Sequence, residues 1–434
     1  MRTLFTILFG LVLLSGCAGR QIASENTSVH LHQSELNEWV VDYRLPEKTK
    51  TLVFARNPNV SREERWHSLD PNVEVLRIEG EDVVRRKDGQ AFDRAEFRLT
   101  PTYRHLGKDY APFSNFSDGG ILVHTGRYFA CLETCVDTEP KWNFSLAADS
   151  GGFVLLRGKL LREMASWEDS LDGTMIYVGD QTPIETERAW VLIDPAFPPV
   201  VSELLKANLP RLVDHFSSKF GELPRKPNFF ASFDAEFVGS PGSQGGTLPD
   251  QMFMHFRGEN LQKRLADPTF DLWLAWFFAH ETVHMYQTRI ADERESWLHE
   301  GAAEAFAALV VRDWSSRSSD YVQARRERAS KECRAGLVAR SLESVADGGE
   351  FDLYYSCGLI LHLELDAAVR RKDSSSDGLF DLWTSYNAEV SGGAEPNGVT
   401  FRRVVAELAG TEIADWVKEF TTTEMPALAA PYPP

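Results

Sequence analysis

The sequence FFAHETVHMYQTRIADERESWLHEGAAE, residues 277–304, decides the interpretation of this chain. It contains an H-E-x-x-H motif at His280–His284 and a second acidic motif, W-L-H-E-G, at 297–301. The run from Thr269 to Gln287 has no glycine or proline and predicts one long, mostly buried helix. Because residues four apart lie on one helix face, His280 and His284 can present two imidazoles to the same point.

These residue types are the ones that bind a catalytic zinc ion. Two neutral imidazoles, one carboxylate and one open position suit Zn²⁺, and Glu281 beside them suits a general base. Glu300 is the best third ligand, because residues 285–299 leave room for a loop and a second helix that packs on the first. The simpler interpretation is a pair of surface histidines, but their apolar neighbours argue against it because buried imidazoles need partners.

The two motifs together resemble those of the gluzincin metallopeptidases, the group that includes thermolysin and the aminopeptidase N-like and glycyl aminopeptidase-like enzymes. The sequence W-L-H-E-G-A-A at 297–303 is similar to the stretch that carries the glutamate ligand in that group. The resemblance implies Zn²⁺ as cofactor, His280, His284 and Glu300 as ligands, and Glu281 as base. It also implies that Glu304 orients the first histidine. The gap of fifteen residues between His284 and Glu300 is shorter than usual and indicates a divergent branch.

A Y-x-x-G sequence at 355–358 extends the resemblance, since aminopeptidase N-like enzymes carry such a tyrosine some sixty residues after the glutamate ligand. Tyr355 lies 355 − 300 = 55 residues after Glu300. The resemblance implies that the Tyr355 hydroxyl stabilises the oxyanion, with Tyr354 as the neighbouring alternative. The alternative to a catalytic role is that these tyrosines are aromatic rings packed on a C-terminal helix.

The same families bind an extended substrate along the last strand before the metal helix. This makes three residues of the present chain substrate-strand candidates: Gly245, Gly246 and Thr247. Aminopeptidases carry a G-x-M-E-N sequence there, whose glutamate holds the free amine of the substrate. This chain has no glutamate at the matching place, so the choice between endopeptidase and aminopeptidase stays open.

The composition and the first residues indicate an exported globular protein. The hydrophobic fraction of 43 % and the charged fraction of 25 % are ordinary for a soluble chain, and the net charge of −18 disfavours nucleic acid as a partner. Residues 1–17, MRTLFTILFGLVLLSGC, are typical of an export signal. The L-S-G-C sequence resembles a bacterial lipoprotein processing box. It implies a lipid anchor at Cys17 and, with Ala18 next, an outer-membrane lipoprotein facing the periplasm or the cell surface. The alternative is an ordinary cleaved signal.

Four further cysteines remain in the chain. An even number in an exported protein suggests two disulfide bridges, most simply between Cys131 and Cys135 and between Cys333 and Cys357. The spacing of Cys131 and Cys135 could also bind a metal ion, but no matching pair of cysteines or histidines accompanies it.

The sequence predicts a multidomain α+β protein: an N-terminal β-sandwich-like domain, a thermolysin-like catalytic domain and a helical C-terminal part. Eight short β-rich runs separated by turn residues favour the β domain, and three-to-four residue spacing favours the helices. Within the catalytic domain we expect a helix at 200–220, strands at 228–233 and 251–256, and a flexible loop at 239–247. The predicted segments are the signal and lipidated cysteine (1–17), a tether (18–36), the β-sandwich-like domain (37–194), the gluzincin catalytic core (195–315), the helical subdomain (316–425) and a tail (426–434).

The resulting hypothesis is a zinc metallopeptidase that hydrolyses peptide bonds of a peptide or protein substrate in the bacterial cell envelope. The alternative from another class is a catalytically degenerate lipoprotein that binds peptides or proteins in its cleft. The retained Glu281 and metal ligands speak against that alternative. An envelope assembly or quality-control factor with the same chemistry would differ only in its substrate. His255 and His299 are expected to be structural or to lie behind the ligands.

Overall fold

The computed structural model describes residues 26–424 except 36–37, 58–60, 107–108, 136–139, 149–151, 171, 237–241, 288 and 339. The predicted export signal with Cys17 and the predicted tail at 426–434 lie outside the described residues. Within the described part of the chain, no helix is both long enough and apolar enough to cross a membrane.

The N-terminal part consists of short strands joined by turns. In chain order its elements are β1 (Ser28–Glu35), β2 (Glu38–Thr49), β3 (Thr51–Phe54), α1 (Ser61–Arg65), β4 (Trp66–Ser68), β5 (Val73–Ile78), β6 (Glu81–Arg86), β7 (Phe92–Leu99), β8 (Phe113–Asn115), β9 (Ile121–His124), β10 (Ala130–Leu132), β11 (Lys141–Ala147), β12 (Phe153–Leu156), β13 (Lys159–Arg162), β14 (Met164–Ser170) and β15 (Met175–Gly179).

These strands form three sheets that share one apolar core. Their orders are β14-β11-β1-β2-β7-β4, β10-β3-β6-β5 and β13-β12-β15-β9-β8. Val29 and Leu31 of β1 lie fully within the core, beside residues of all three sheets. The expectation of a tether over 18–36 is therefore wrong from Ser28 onward. Val29 and Leu31 alternate with polar residues, and such period-two alternation suits a strand with one buried face.

The second part begins with a mixed sheet and continues as helices. Its elements are β16 (Ile184–Glu185), β17 (Trp190–Ile193), α2 (Pro199–Phe220), β18 (Asn228–Asp234), β19 (Gly242–Leu248), β20 (Gln251–Arg257), α3 (Asn260–Leu265), α4 (Phe270–His284), α5 (His299–Arg312), α6 (Ser318–Gly336), α7 (Asp352–Lys372), α8 (Leu379–Ser391), α9 (Gly398–Leu408) and α10 (Thr411–Thr422).

The fourth sheet has the order β16-β17-β18-β20-β19 and corrects two expectations. First, β16 and β17 belong to it, although they precede the predicted boundary at 194, because β17 pairs in parallel with β18. Second, the flexible loop expected at 239–247 is wrong from Gly242 onward, because Gly242–Leu248 form β19, which pairs antiparallel with β20 over its whole length. Glycines had indicated a loop there, but the ladder to β20 satisfies the backbone groups of the strand.

The helices pack around α5, whose exposed surface is small. Alanine, valine and other apolar residues cover nearly every side of this helix, which packs against both α4 and α7. A Cβ atom placed on Gly301 of α5 would lie 2.5 Å from the Cα atom of Gly358 on α7. Glycine at both positions therefore allows the backbones of α5 and α7 to meet, which sets the distance between residues on these two helices.

Polar and apolar contacts join the two parts of the molecule. The buried Asp194 accepts hydrogen bonds from the backbone N–H groups of Phe233 (3.0 Å) and Ser117 (3.1 Å) and from the Ser117 hydroxyl. Around this carboxylate, side chains of the third and fourth sheets, including Tyr177 and Phe230, form a small shared core.

The described residues contain two disulfide bridges, which confirms the simplest pairing predicted from the sequence. Cys131 is bonded to Cys135, and Cys333 of α6 is bonded to Cys357 of α7. The second bridge is buried and fixes α6 to the first turns of α7. The region that carries Tyr355 is therefore held by a covalent bond.

Candidate metal centre

Three donor atoms from α4 and α5 meet at one point. Nε2 of His280 lies 3.2 Å from Nε2 of His284 and 3.2 Å from Oε2 of Glu300, and Nε2 of His284 lies 3.4 Å from Oε2 of Glu300. Zinc–nitrogen and zinc–oxygen bonds of about 2.0–2.1 Å at tetrahedral angles place neighbouring ligands about 3.3 Å apart. The triangle of donor atoms therefore has the size that a tetrahedral zinc site requires.

Local structure explains why the three side chains converge. His280 and His284 occupy successive turns of α4, and Glu300 is in the first turn of α5. α4 begins at Phe270, and the Asp267 carboxylate just before it accepts a hydrogen bond from the N–H of Thr269. Because the helix runs from there to His284, the two histidines lie on one face.

A second layer of contacts fixes the ligands. Glu304, one turn after Glu300, places Oε1 3.1 Å from Nδ1 of His280. Its two carboxylate oxygens accept from the indole N–H of Trp276 at 3.1 Å, and Nη2 of Arg325 lies 3.5 Å away. The second layer thus holds the His280 ring with Nε2 directed at the other two donor atoms.

Gln287 plays the corresponding role for the other histidine. Its side-chain Oε1 lies 2.7 Å from Nδ1 of His284, and its Nε2 donates to the carbonyl of His299 at 3.1 Å. The amide therefore connects the end of α4 to the start of α5. It favours the tautomer of His284 in which Nδ1 carries the hydrogen and Nε2 is free to bind a metal.

The charges of the cluster stabilise one another. Burial by itself lowers the pKa of His280, but hydrogen bonds to Glu300 and Glu304 reverse this and raise it to about 10. His284 also has a raised pKa, because the charge of Glu300 outweighs burial. Burial raises the pKa of Glu300 and Glu304, yet both histidines hold that of Glu300, and His280 that of Glu304, below the usual value. A cation at this point would be held by ionised carboxylates.

Tyr355 borders the same point from α7. Its ring stacks on the His280 ring with centroids 5.7 Å apart, and 37 % of the residue is exposed. Burial raises the pKa of its hydroxyl, and the charges of Glu300 and Glu281 raise it further, so the hydroxyl keeps its proton. The neighbouring Tyr354 is buried and donates to the carbonyl of Arg294 at 3.2 Å. Of the two tyrosines, Tyr355 is the one that can donate to a ligand at the three-donor cluster.

The substrate-strand candidates lie on β19, which is an edge strand of the fourth sheet and lies beside α4. A Cβ atom on Gly245 would lie 2.6 Å from the Phe277 ring, and one on Gly246 would lie 2.6 Å from the Tyr110 ring. Thr247 contacts the candidate base, with Oγ1 2.8 Å from the main-chain oxygen of Glu281 and 2.9 Å from its Oε2. The strand is therefore close enough to Glu281 to guide a chain laid along it.

The other histidines of interest serve the structure. His255 is buried, lies 2.8 Å from the Ser232 hydroxyl and stacks on Tyr103. His299 is also buried, and burial lowers its pKa to about 4. Its Nε2 lies 3.8 Å from Oε1 of Glu300, outside hydrogen-bonding distance. Neither residue joins the three donors.

Sequence reasoning missed four contacts of the site. The roles of Trp276, Gln287 and Arg325, and the bond from Thr247 to Glu281, depend on how distant segments pack. Only Gln287 carries a local signal, since it follows His284 by three residues and so lies on the same face.

The overall fold is similar to known metallopeptidase structures. An aminopeptidase N family protein from Idiomarina loihiensis matches with a TM-score of 0.67 at 12 % identity, over 92 % of this chain and 76 % of that one. Yeast leukotriene A4 hydrolase matches with a TM-score of 0.56 at 13 % identity, over 95 % of this chain and 69 % of that one. No family model matches the sequence, and no curated protein does. The expected aminopeptidase N-like layout of the fold is confirmed.

Proposed function

We propose that this chain is a zinc-dependent metallopeptidase. The observation that carries the proposal is the triangle formed by His280, His284 and Glu300, with sides of 3.2–3.4 Å. Nitrogen and carboxylate donors at this spacing suit Zn²⁺, and binding would release the protons that the histidines now share with the carboxylates. The similarity in fold to an aminopeptidase N family protein agrees with this proposal.

The residues around the triangle supply the remaining chemistry. Zinc, when bound, supplies Lewis-acid polarisation of a carbonyl and makes water more acidic. Glu281 would accept the proton of the attacking water and pass it to the leaving amine. Tyr355, which keeps its proton, would donate a hydrogen bond to the oxyanion. Glu304 and Gln287 would orient the two imidazoles.

We further propose that β19 positions the substrate through backbone pairing along Gly245–Thr247. The acidic residue nearest to this stretch in sequence is Asp250, and its Oδ2 is bonded to Nε of Arg225 at 2.6 Å. A carboxylate committed to an arginine is a poor receptor for a free amine. The proposal is therefore hydrolysis that does not rely on a β19 carboxylate to recognise the amino terminus.

The proposed compartment is the bacterial cell envelope, with anchoring at Cys17. The two disulfide bridges support export, because such bonds form and persist in oxidising compartments. The proposed enzyme would then act on a peptide or protein substrate outside the cytoplasm.

The decisive test combines metal content with turnover. About one zinc per chain in wild type, lost in His280→Ala, is the result expected from the geometry. Glu281→Gln keeps the ligands and should retain zinc while losing hydrolysis of a mixed library of fluorogenic peptides. Folded wild-type protein without zinc, or full activity in Glu281→Gln, would overturn the proposal.

A further inference from the structure

A second charged site lies beside the N-terminal half of α4, between α3 and α6. Three arginines, Arg264, Arg325 and Arg328, line one cavity of about 230 Å³. Asp267 is the only carboxylate among its lining residues, and Trp273 and Tyr321 contribute aromatic walls. We call this space the arginine cavity. Its lining is basic, although the chain as a whole carries a net charge of −18.

The single lining carboxylate does not neutralise the arginines. Oδ1 of Asp267 accepts hydrogen bonds from the N–H (2.8 Å) and the hydroxyl (2.7 Å) of Thr269, in its own turn. Arg264 forms no ion pair within the described part of the chain. Its buried Nε also has no hydrogen-bond partner there. The guanidinium group of Arg264 therefore lines the cavity without a carboxylate bonded to it among the described residues.

The other two arginines have weak or peripheral partners. Nη2 of Arg325 is 3.5 Å from Glu304, and Nη1 donates to the Tyr321 hydroxyl at 3.2 Å. Arg328 pairs with Glu332 at 2.7 Å on the outer face of α6, where 80 % of the Arg328 side chain is exposed. An exposed pair of this kind contributes little and can rearrange around a ligand.

Aromatic rings hold two of the guanidinium groups in place. The Cζ atom of Arg264 lies 3.9 Å from the centre of the Trp273 ring, and that of Arg325 lies 4.3 Å from the centre of the Trp276 ring. Contact through a ring face leaves the in-plane N–H groups available for hydrogen bonds. Such preordered groups match the oxygen pairs of phosphate and carboxylate ligands.

We infer that the arginine cavity binds a small multivalent oxyanion, of the phosphate or dicarboxylate class. The inference depends on the arginines alone and does not rest on the peptidase proposal. Arg325 nevertheless contacts both sites, because it lines the cavity and lies beside Glu304, which contacts His280. An anion bound to Arg325 would weaken the interaction between Arg325 and Glu304, and through Glu304 it would affect the metal centre.

Direct binding tests the inference. Inorganic phosphate and succinate are titrated separately into the purified protein by calorimetry at constant ionic strength. The variants are Arg264→Gln on α3 and Arg328→Gln on α6. The control is Arg334→Gln, which replaces an exposed arginine of α6 that does not line the cavity. Thermal unfolding shows whether each variant is folded, and Arg328 is exposed enough that its replacement should not impair folding.

We expect one anion per chain, bound about tenfold or more weakly in both cavity variants and unchanged in the control, since a charge-assisted hydrogen bond is lost. Phosphate binding without succinate binding would assign the site to phosphoryl groups, and the reverse would assign it to carboxylates. Absence of binding by both probes would overturn the inference. Binding that Arg264→Gln leaves unchanged would also overturn it, since a zinc-bound anion does not need Arg264.

Discussion

The hydroxyl of Thr247 lies 2.9 Å from the carboxylate of Glu281 and so joins the edge strand β19 to α4, the helix that carries the candidate base. It also lies 2.8 Å from the main-chain oxygen of Glu281, one of the carbonyls that a helix end leaves unsatisfied. One side chain thus fixes both the backbone and the carboxylate of Glu281.

Thr247→Val should lower kcat for peptide hydrolysis about tenfold with a smaller change in KM, because valine keeps the volume and removes the hydrogen bond. Thr247→Ser, which retains the hydroxyl, should keep most of the activity. Steady-state kinetics of both variants, with zinc content measured alongside, test this relationship. Equal kcat in wild type and Thr247→Val would show that the contact does not position the base.

Glu304→Gln should weaken zinc binding about tenfold or more, because Glu304 holds the Nδ1 side of His280. Competition with a chelator of known affinity measures the change. Glu332→Gln, which alters a partly exposed carboxylate of α6, is the matched control and should bind zinc as wild type does. Equal affinities in the two variants would leave Glu304 without an orienting role.

Tyr355→Phe should reduce kcat by about a hundredfold or more, as expected for the loss of one donor to an oxyanion. Zinc content should stay the same, since Tyr355 is not one of the three donors. Tyr354→Phe is the control, because the buried Tyr354 donates its hydroxyl to the carbonyl of Arg294 and not to the metal centre. A larger loss of kcat in the control than in Tyr355→Phe would reverse the assignment.

Gly301→Ala should destabilise the protein by about 1–3 kcal/mol, the usual cost of added volume in a packed core. The new methyl group would lie 2.5 Å from the Cα atom of Gly358, and backbone cannot rotate away as a side chain can. Urea unfolding measures the free energy of unfolding. Alanine normally stabilises a helix relative to glycine, so an increase in stability would contradict the close contact of α5 and α7.

Acid should destabilise the protein between about pH 6.5 and pH 4. Burial lowers the pKa of His124 and of His362 to about 4, and both side chains are fully buried. The unfolded chain binds protons at these residues below pH 6.5 while the folded chain does not. The stabilisation from each is thus fully present above pH 6.5 and is lost as the pH falls to 4, by about 3 kcal/mol per histidine at most.

Urea unfolding at several pH values between 4 and 7 tests this expectation. His362→Asn removes one of the two groups, so its free energy of unfolding should depend less steeply on pH than that of wild type. An unchanged slope would mean that His362 binds a proton equally in the folded and unfolded states.

Helical periodicity made much of the site predictable from sequence. His280 and His284 are four residues apart on α4, and Glu300 and Glu304 are four apart on α5, so each pair had to share a face. Local spacing gives no such information about Arg325, whose contact with Glu304 depends on the packing of α6 against α5. Thr247 is likewise 34 residues from Glu281 and meets it only through the sheet.

Two strands that the sequence assigned to irregular segments, β1 to a tether and β19 to a loop, have one cause in common: their composition is polar or glycine-rich. Gly245 and Gly246 suggested a loop, whereas rings of Phe277 and Tyr110 occupy the space where side chains would be. The polar residues of β1 suggested a tether, although Val29 and Leu31 point into the core. The sequence of a segment does not show which aromatic ring will pack on it or which strand will pair with it.

The buried carboxylate of Asp194 limits how the gene can be divided for expression. Any fragment that begins between residues 118 and 194 would contain this carboxylate without the Ser117 N–H and hydroxyl that now bind it. The remaining backbone donors, at Ala196 and Phe233, would have to hold the charge beside a shared core that has lost some of its apolar residues, such as Phe116. Removing partners from a buried charge costs several kcal/mol. A fragment of this kind would therefore be less stable than the whole chain, and attempts to crystallise or engineer this protein should keep the β sheets attached.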